Sequence, residues 1–232
     1  MRVYSSAIFL VAGLCAAQNT PGPPSVRASG EATVSERPDQ ARVQIGVVSQ
    51  APTAQAAAAQ NAKQLSAVLD DLKKALGPEA QIRTTSYSIQ PDYRYPRDGG
   101  KPTITGYTAT NVVQVTLDDL TKVGTVIDTA LKAGANTIRG IQFTLRDEQA
   151  ARARALREAT QEARANAQAM ASALGLKTGR VLHLQQGEHM PIRPLQEYAV
   201  AAMRDAAAPP TPVEPGVIEV RATVTLTMEA LP

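Results

Sequence analysis

Alternation of apolar and polar positions predicts two strands at the start of the folded part of the chain. Small or apolar residues alternate with polar ones from Val26 to Val34, and the pattern resumes from Ala41 to Val47, as in half-buried strands. The corner between them, Glu36-Arg37-Pro38-Asp39, carries turn chemistry, because proline fixes its own backbone angle and aspartate bonds back to the chain. We predict a β-hairpin here, with the corner as a structural hinge.

The same alternation predicts a second hairpin and three further strands. Ile82 to Tyr95 and Ile104 to Leu117 alternate on either side of the turn PRDGGKP, which is rich in glycine and proline. A strand is predicted from Thr137 to Arg146, a short one from Arg180 to Gln185, and a long final one over residues 217–228. The final strand has the cleanest alternation of all.

Apolar residues at helical spacing predict three helices. The first runs from about residue 52 to a stop at Gly77, the second from Asp118 to Gly134, and the third from Asp147 to Leu174. Alanine dominates the apolar stripe of the third helix, and its small side chain permits a close approach to a sheet. The members of that stripe are Leu156, Ala159, Ala163, Ala167, Met170 and Leu174.

The order of these elements is ββαββαβα, followed by a short strand, a loop rich in proline and alanine at 186–215, and the final strand. Adjacent hairpins favour an antiparallel sheet, and helices are needed to cover one face of it. We therefore predict an α+β fold in which three helices pack on an antiparallel β-sheet built from hairpins. Residues 25–232 are expected to form one domain.

The first residues predict export. Residues 1–17, MRVYSSAIFLVAGLCAA, combine one positive charge, a short apolar stretch and small residues at Cys15 and Ala17, which is typical of a secretory signal. We expect cleavage after Ala17, a disordered leader at 18–24 and a periplasmic protein, with outer-membrane association left open. The alternative, a lipid on Cys15, is disfavoured because Leu14 is large.

Composition excludes several classes of function. The formal net charge is only +3, with basic residues scattered among acidic ones, so we expect no nucleic-acid partner. The apolar stretch in the signal is too short to span a membrane, and no later segment predicts a transmembrane helix. We expect no cofactor, because the chain has no Trp, two Phe and no phosphate-binding glycine loop.

Candidate catalytic chemistry is sparse. The two histidines, His183 and His189, are accompanied by no nucleophile or carboxylate spacing that would form a catalytic group. They also match no compact metal-ligand spacing, even with Glu188 between them. We therefore assign no catalytic, cofactor-binding or metal-binding residue, and expect the protein not to be an enzyme.

Tyrosines concentrate in the second hairpin. Tyr93 and Tyr95 lie beside Arg94 and Arg97 near its tip, and Tyr87 and Tyr107 belong to its two strands. Aromatic and arginine side chains are enriched in protein interfaces, so Tyr93, Arg94, Tyr95 and Arg97 are our candidate contact surface. The alternative is structural, with the tyrosines forming cross-strand pairs that shield the sheet.

Five ordered segments resemble the SIMPL-domain family of bacterial envelope proteins, which includes the periplasmic immunogenic proteins. They are ASGEATVSERPDQARVQIGV, IRTTSYSIQPDYRY, ITGYTATNVVQVTLDDL, VGTVIDTALKAGANTIRGIQFTL and PGVIEVRATVTLTMEA. The resemblance implies a single exported α+β domain without established catalytic residues. It also implies membership of a family with ring-shaped oligomers and links to oxidative-stress tolerance.

Two functional hypotheses follow. The first is a non-enzymatic envelope protein that acts through self-assembly, as a homo-oligomer, or through contacts with other envelope proteins, in tolerance of oxidative or envelope stress. The second is a monomeric periplasmic binder of a small ligand or peptide, held between helices and sheet with the 186–215 loop as a lid. The size of the protein in solution discriminates between them.

Overall fold

The computed structural model confirms the α+β class and the predicted order of elements. It describes residues 22–77, 80–97, 100–187, 193–195 and 213–232, so the predicted signal at 1–17 and most of the 186–215 loop lie outside the described residues. The strands are β1 (Ser25–Glu36), β2 (Gln40–Ala51), β3 (Gln81–Arg94), β4 (Thr103–Leu117), β5 (Thr137–Thr144), β6 (Lys177–Gln186), β7 (Arg193–Leu195) and β8 (Val217–Leu231). The helices are α1 (Ala54–Leu76), α2 (Val123–Lys132) and α3 (Glu148–Ala173).

The strands are divided between two antiparallel sheets. In sheet A, β8 lies between β1 and β6, and the short β7 also pairs with β8. In sheet B the strand order is β3-β4-β2-β5. The chain begins in sheet A, builds all of sheet B between residues 40 and 144, and then returns to sheet A through α3.

The first predicted hairpin is wrong, whereas the second is confirmed. β1 pairs along its length with β8, from Ser25 opposite Glu229 to Glu36 opposite Ile218. β2 pairs instead with β4 and β5, and β3 pairs with β4 as predicted. Tight hairpin turns usually place a residue at positive φ, as in Asn-Gly, and no residue of the Arg37-Pro38-Asp39 connection has positive φ.

The corner at residues 36–39 is the crossing from sheet A to sheet B. Pro38 is buried, and the Asp39 carboxylate accepts a hydrogen bond of 2.6 Å from the backbone N–H of Arg146. The Asp39 N–H donates to the carbonyl of Thr144 at 3.3 Å, and Glu36 pairs with Arg154 of α3. These bonds tie the outgoing crossing to the returning one, between β5 and α3. Their geometry supports a structural role for the corner.

Helix α3 packs on sheet A at very short range. A Cβ atom on Gly30 of β1 would lie 2.2 Å from the carbonyl oxygen of Ala159 and 2.3 Å from the backbone nitrogen of Ala163. The buried residues on the side of α3 that faces the sheet are all alanines, and they are spaced four residues apart. These are Ala151, Ala155, Ala159, Ala163, Ala167 and Ala171. Met170 and Leu174, which we predicted in this stripe, are exposed, because neither belongs to the series that faces the sheet. Leu156 is half-buried against the same core.

Side chains of α3 also cover the free edge of β1. The Glu162 carboxylate accepts a 2.7 Å hydrogen bond from the backbone N–H of Glu31. The Asn166 amide donates to the carbonyl of Ser29 at 2.9 Å. Unpaired backbone groups at a sheet edge invite pairing with another chain, and here two of them are already bonded. The central stretch of β1 is therefore protected from strand addition.

Helices α1 and α2 cover one face of sheet B. Its core is built from aliphatic side chains of β2, β4 and the two helices. The largest fully buried members are Val43, Ile45, Val47, Val68, Leu72, Val113, Val115, Val123 and Val126. The Thr53 hydroxyl accepts a hydrogen bond from the N–H of Ala56 at the start of α1, and Gly77 ends that helix with φ 88°, a conformation that favours glycine.

Asn61 is a polar residue at the centre of this packed interface. It is fully buried on α1, and its amide nitrogen donates to the carbonyls of Val47 at 2.8 Å and Ala109 at 3.1 Å. One side chain thus bonds to both β2 and β4. Ser49 adds a third contact by donating to the carbonyl of Ala57 at 2.9 Å.

We expect Asn61→Ala to lower the free energy of unfolding by about 1–3 kcal/mol, because two buried carbonyls lose their donor. In a chain of this size that corresponds to a drop in melting midpoint of roughly 2–12 °C. Thermal unfolding followed by circular dichroism measures it. Gln60→Ala, at an exposed position of the same helix, is the control and should change the midpoint little. Equal midpoints for the two variants would contradict the role assigned to Asn61.

Candidate contact surface on the second hairpin

The second hairpin extends beyond the rest of sheet B. β2 ends at Ala51, which lies opposite Tyr107 of β4. Past that point β3 and β4 pair only with each other, from Pro91 opposite Tyr107 to Arg94 opposite Thr103. The hairpin therefore continues as a two-stranded arm, and α1, which lies over β2 and the inner part of β4, does not cover it.

One face of this hairpin carries exposed apolar and aromatic side chains. Tyr95 is 73% exposed, Tyr87 53%, Ile104 51% and Tyr93 50%. Successive residues of a strand point to opposite faces, so Tyr87, Ile89 and Tyr93 share a face of β3, and Ile104 lies opposite Tyr93 on β4. Tyr95 follows the end of β3, with its ring close to that of Tyr93. We call these five residues the hairpin surface. Contiguous exposed apolar patches mark interaction sites more often than isolated apolar residues do.

The structure brings two of the four predicted contact residues together. The rings of Tyr93 and Tyr95 lie 6.4 Å apart at an angle of 46°. Arg94 lies between them in sequence and points to the other face of the arm, and Arg97 is exposed in the turn. Arg94 and Arg97 therefore flank the aromatic pair.

The cross-strand tyrosine pairs that we considered as an alternative are not formed. Tyr87 lies opposite Asn111, and Tyr107 lies opposite Pro91. The ring contact between Tyr93 and Tyr95 is along one strand. The tyrosines therefore face outward from the hairpin and do not shield each other across it.

Sequence reasoning missed Ile89 and Ile104 as members of this surface. The signal was present, because YSIQPDYRY places residues 87, 89, 91, 93 and 95 on one side of a strand. The pattern did not show that β3 is an edge strand, which leaves Ile89 at the border of the sheet, or that β2 ends before it reaches Ile104. That depends on pairing between distant segments.

The two histidines and the possible metal ligands are the remaining candidates for chemistry. His183 is exposed on β6 opposite Thr227, and His189 lies outside the described residues. In the part of the chain that the structure describes, no three His, Cys, Asp or Glu side chains are grouped as metal ligands. Within the same residues, no helix has both the length and the apolar character to cross a membrane.

The comparison with known families matches residues 26–228 to the model of SIMPL, described as a protein of unknown function (DUF541). The match covers both sheets and all three helices. The chain belongs to the SIMPL family. The resemblance in its five segments is thereby confirmed.

Two kinds of named relative are similar to this SIMPL protein. The 26 kDa periplasmic immunogenic protein of Brucella melitensis is 31% identical over 178 residues, covering 75% of this chain and 71% of the relative. The uncharacterized protein YggE of Escherichia coli K12 is 32% identical over 177 residues, covering 76% and 71%. YggE of Edwardsiella ictaluri is 32% identical over 179 residues, covering 76% and 74%.

Proposed function

We propose that this SIMPL protein is an exported, non-enzymatic envelope protein that acts by self-assembly through the hairpin surface. The observation that carries the proposal is the hairpin surface itself, five large apolar side chains exposed on one face of the β3–β4 hairpin. Burying such side chains against another copy removes apolar area from water, which is the main driving force of association. Two tyrosines and flanking arginines at the tip suit an interface, where such residues are enriched.

Two other surfaces are less suitable for assembly. β4 and β8 are both internal strands with a neighbour on each side, so neither offers an open edge. The alanine face of α3 is buried against the protein's own sheet. β3, which carries Tyr87, Ile89 and Tyr93 of the hairpin surface, is an edge strand of sheet B.

Export to the periplasm is supported by a relative whose name places it there and by the signal pattern at residues 1–17. The proposed role in tolerance of oxidative or envelope stress rests on the family resemblance. Contacts with other envelope proteins would use the same exposed hairpin surface. The non-enzymatic part of the proposal rests on the family resemblance, which implies no established catalytic residues.

Light scattering coupled to size exclusion tests the proposal. Protein beginning at Gln18, at micromolar concentration, should give a mass several times that of one chain, because closed symmetric assemblies satisfy such surfaces without forming fibres. A mass equal to one chain across the concentration range would favour the monomeric binder. Removal of Cys15 with the signal ensures that any assembly observed is non-covalent.

A further inference from the structure

A polar depression lies on the face of sheet B opposite α1 and α2. Its volume is about 490 Å³, and it crosses β2, β4 and β3 at the end of the sheet far from the hairpin tip. The side chains that matter are Gln40, Arg42, Gln81, Arg83, Gln114 and Thr116. Gln114 points into the depression, because its neighbours Val113 and Val115 point to the helices on the other face. It is only 6% exposed.

The two arginines of this depression are held by amides and not by carboxylates. Arg42 donates to the side-chain oxygen of Gln40 at 3.5 Å, and Arg83 donates to that of Gln114 at 3.5 Å. Within the described residues neither guanidinium forms an ion pair. The carboxylate of Asp118, which accepts a hydrogen bond from the Gln40 amide at 3.1 Å, is paired with Arg146 at 3.0 Å.

Such an arrangement favours an anionic ligand. A concave surface lined by charge of one sign concentrates counter-ions, and guanidinium groups match the geometry of carboxylate and phosphate. The long contacts of 3.5 Å leave most of the donors of Arg42 and Arg83 available. The ligand would exchange these long contacts to neutral amide oxygens for shorter hydrogen bonds in which the guanidinium donor and the anionic acceptor are both charged.

The other side chains that line the depression indicate which kind of anionic ligand fits. Gln40, Gln81 and Thr116 present amide and hydroxyl groups that both donate and accept hydrogen bonds, which complements a molecule with several hydroxyls. The volume also exceeds what a bare oxyanion needs and falls in the range of small-molecule sites. We propose that this depression binds an anionic sugar, with the carboxylate or phosphate group held between Arg42 and Arg83.

Isothermal titration calorimetry on the protein beginning at Gln18 tests the site, with glucuronate and glucose 6-phosphate as charged probes and glucose as the neutral one. At least one charged sugar should bind saturably, and glucose should bind at least about tenfold more weakly, because hydrogen bonds to charged groups carry the affinity. The comparison of the two charged probes tells a carboxylate site from a phosphate site. Raising the salt concentration should weaken binding.

Three variants locate the binding in the depression. Arg42→Gln and Arg83→Gln should each weaken the charged sugar at least about tenfold. Gln114→Glu should weaken it similarly by placing a competing carboxylate beside Arg83. Arg157→Gln removes the same charge from an exposed position of α3 and should bind like the parent. Thermal melts confirm that each variant is folded.

The proposal is overturned if neither charged sugar binds at millimolar concentration, if glucose binds equally well, or if the depression variants bind like the parent. These outcomes do not depend on assembly, because titration reports binding whatever the mass of the particle. The site and the hairpin surface lie on opposite faces of sheet B, so failure of one leaves the other to be judged separately.

Discussion

Truncation after Gly216, which removes β8, should abolish cooperative unfolding and leave an aggregating product. β8 is the central strand of sheet A, paired with β1 on one side and with β6 and β7 on the other. It also supplies much of the core under α3. Its buried members are Ile218, Val220, Ala222, Val224, Leu226, Met228 and Ala230.

The stabilisation that β8 contributes through buried side chains is comparable to the whole free energy of unfolding of a domain. Complete burial of one large apolar side chain stabilises by about 1.5–3 kcal/mol, and β8 buries five of them. The total is on the order of 10 kcal/mol, within the 5–15 kcal/mol typical of a native domain. A chain shortened only by Leu231 and Pro232, which are exposed, is the control and should melt cooperatively. A cooperative melt of the longer truncation near the full-length midpoint would show that β8 is peripheral.

Gly30→Ala should cost more than about 3 kcal/mol, although it adds a single methyl group. The new Cβ would lie 2.2 Å from the Ala159 oxygen and 2.3 Å from the Ala163 nitrogen. Both are backbone atoms, so no side chain can rotate away and α3 itself must move. Overpacking of a core costs typically 1–3 kcal/mol where side chains can adjust, and here they cannot. The melting midpoint should fall by roughly 6 °C or more.

Gly140→Ala is the matched control for this substitution. Gly140 is also a strand glycine, and a Cβ there would have no neighbour within 4 Å. The melting midpoint of the Gly140→Ala variant should differ from that of the parent by no more than about 2 °C, as expected of a surface substitution. Equal effects at the two glycines would contradict the close approach of α3 to β1.

Element types were predictable from local patterns, because each strand or helix places its apolar residues at a period that the sequence displays. The long β8 and the alternating β3 and β4 were found in this way. Strand partners were less predictable. The sequence of β1 predicts half of a hairpin with β2, but β1 pairs with β8, which lies nearly 200 residues further along the chain. Alternation determines which face of a strand is buried and contains no information about its neighbour.

The same limit applies to the two surfaces. The tyrosines of the hairpin were identified from the sequence, but that Tyr93 lies on an uncovered arm depends on where β2 ends, at Ala51. Arg42, Arg83 and Gln114 belong to three strands and come together only through the β3-β4-β2 order. In sequence each of them is one polar position in an alternating strand, so the depression had no local signature.

Replacing the side chains of the hairpin surface shows whether that surface mediates assembly. A variant with Tyr93→Ser, Tyr95→Ser and Ile104→Thr should retain the parent's melting behaviour, because these side chains are at least half exposed. Its control, Val181→Thr with Leu184→Thr, replaces equally exposed apolar residues on β6 of sheet A. Light scattering coupled to size exclusion should give the parent mass for the control and a smaller particle for the hairpin variant. A hairpin variant with the same multimeric mass as the parent would show that the hairpin surface does not mediate assembly.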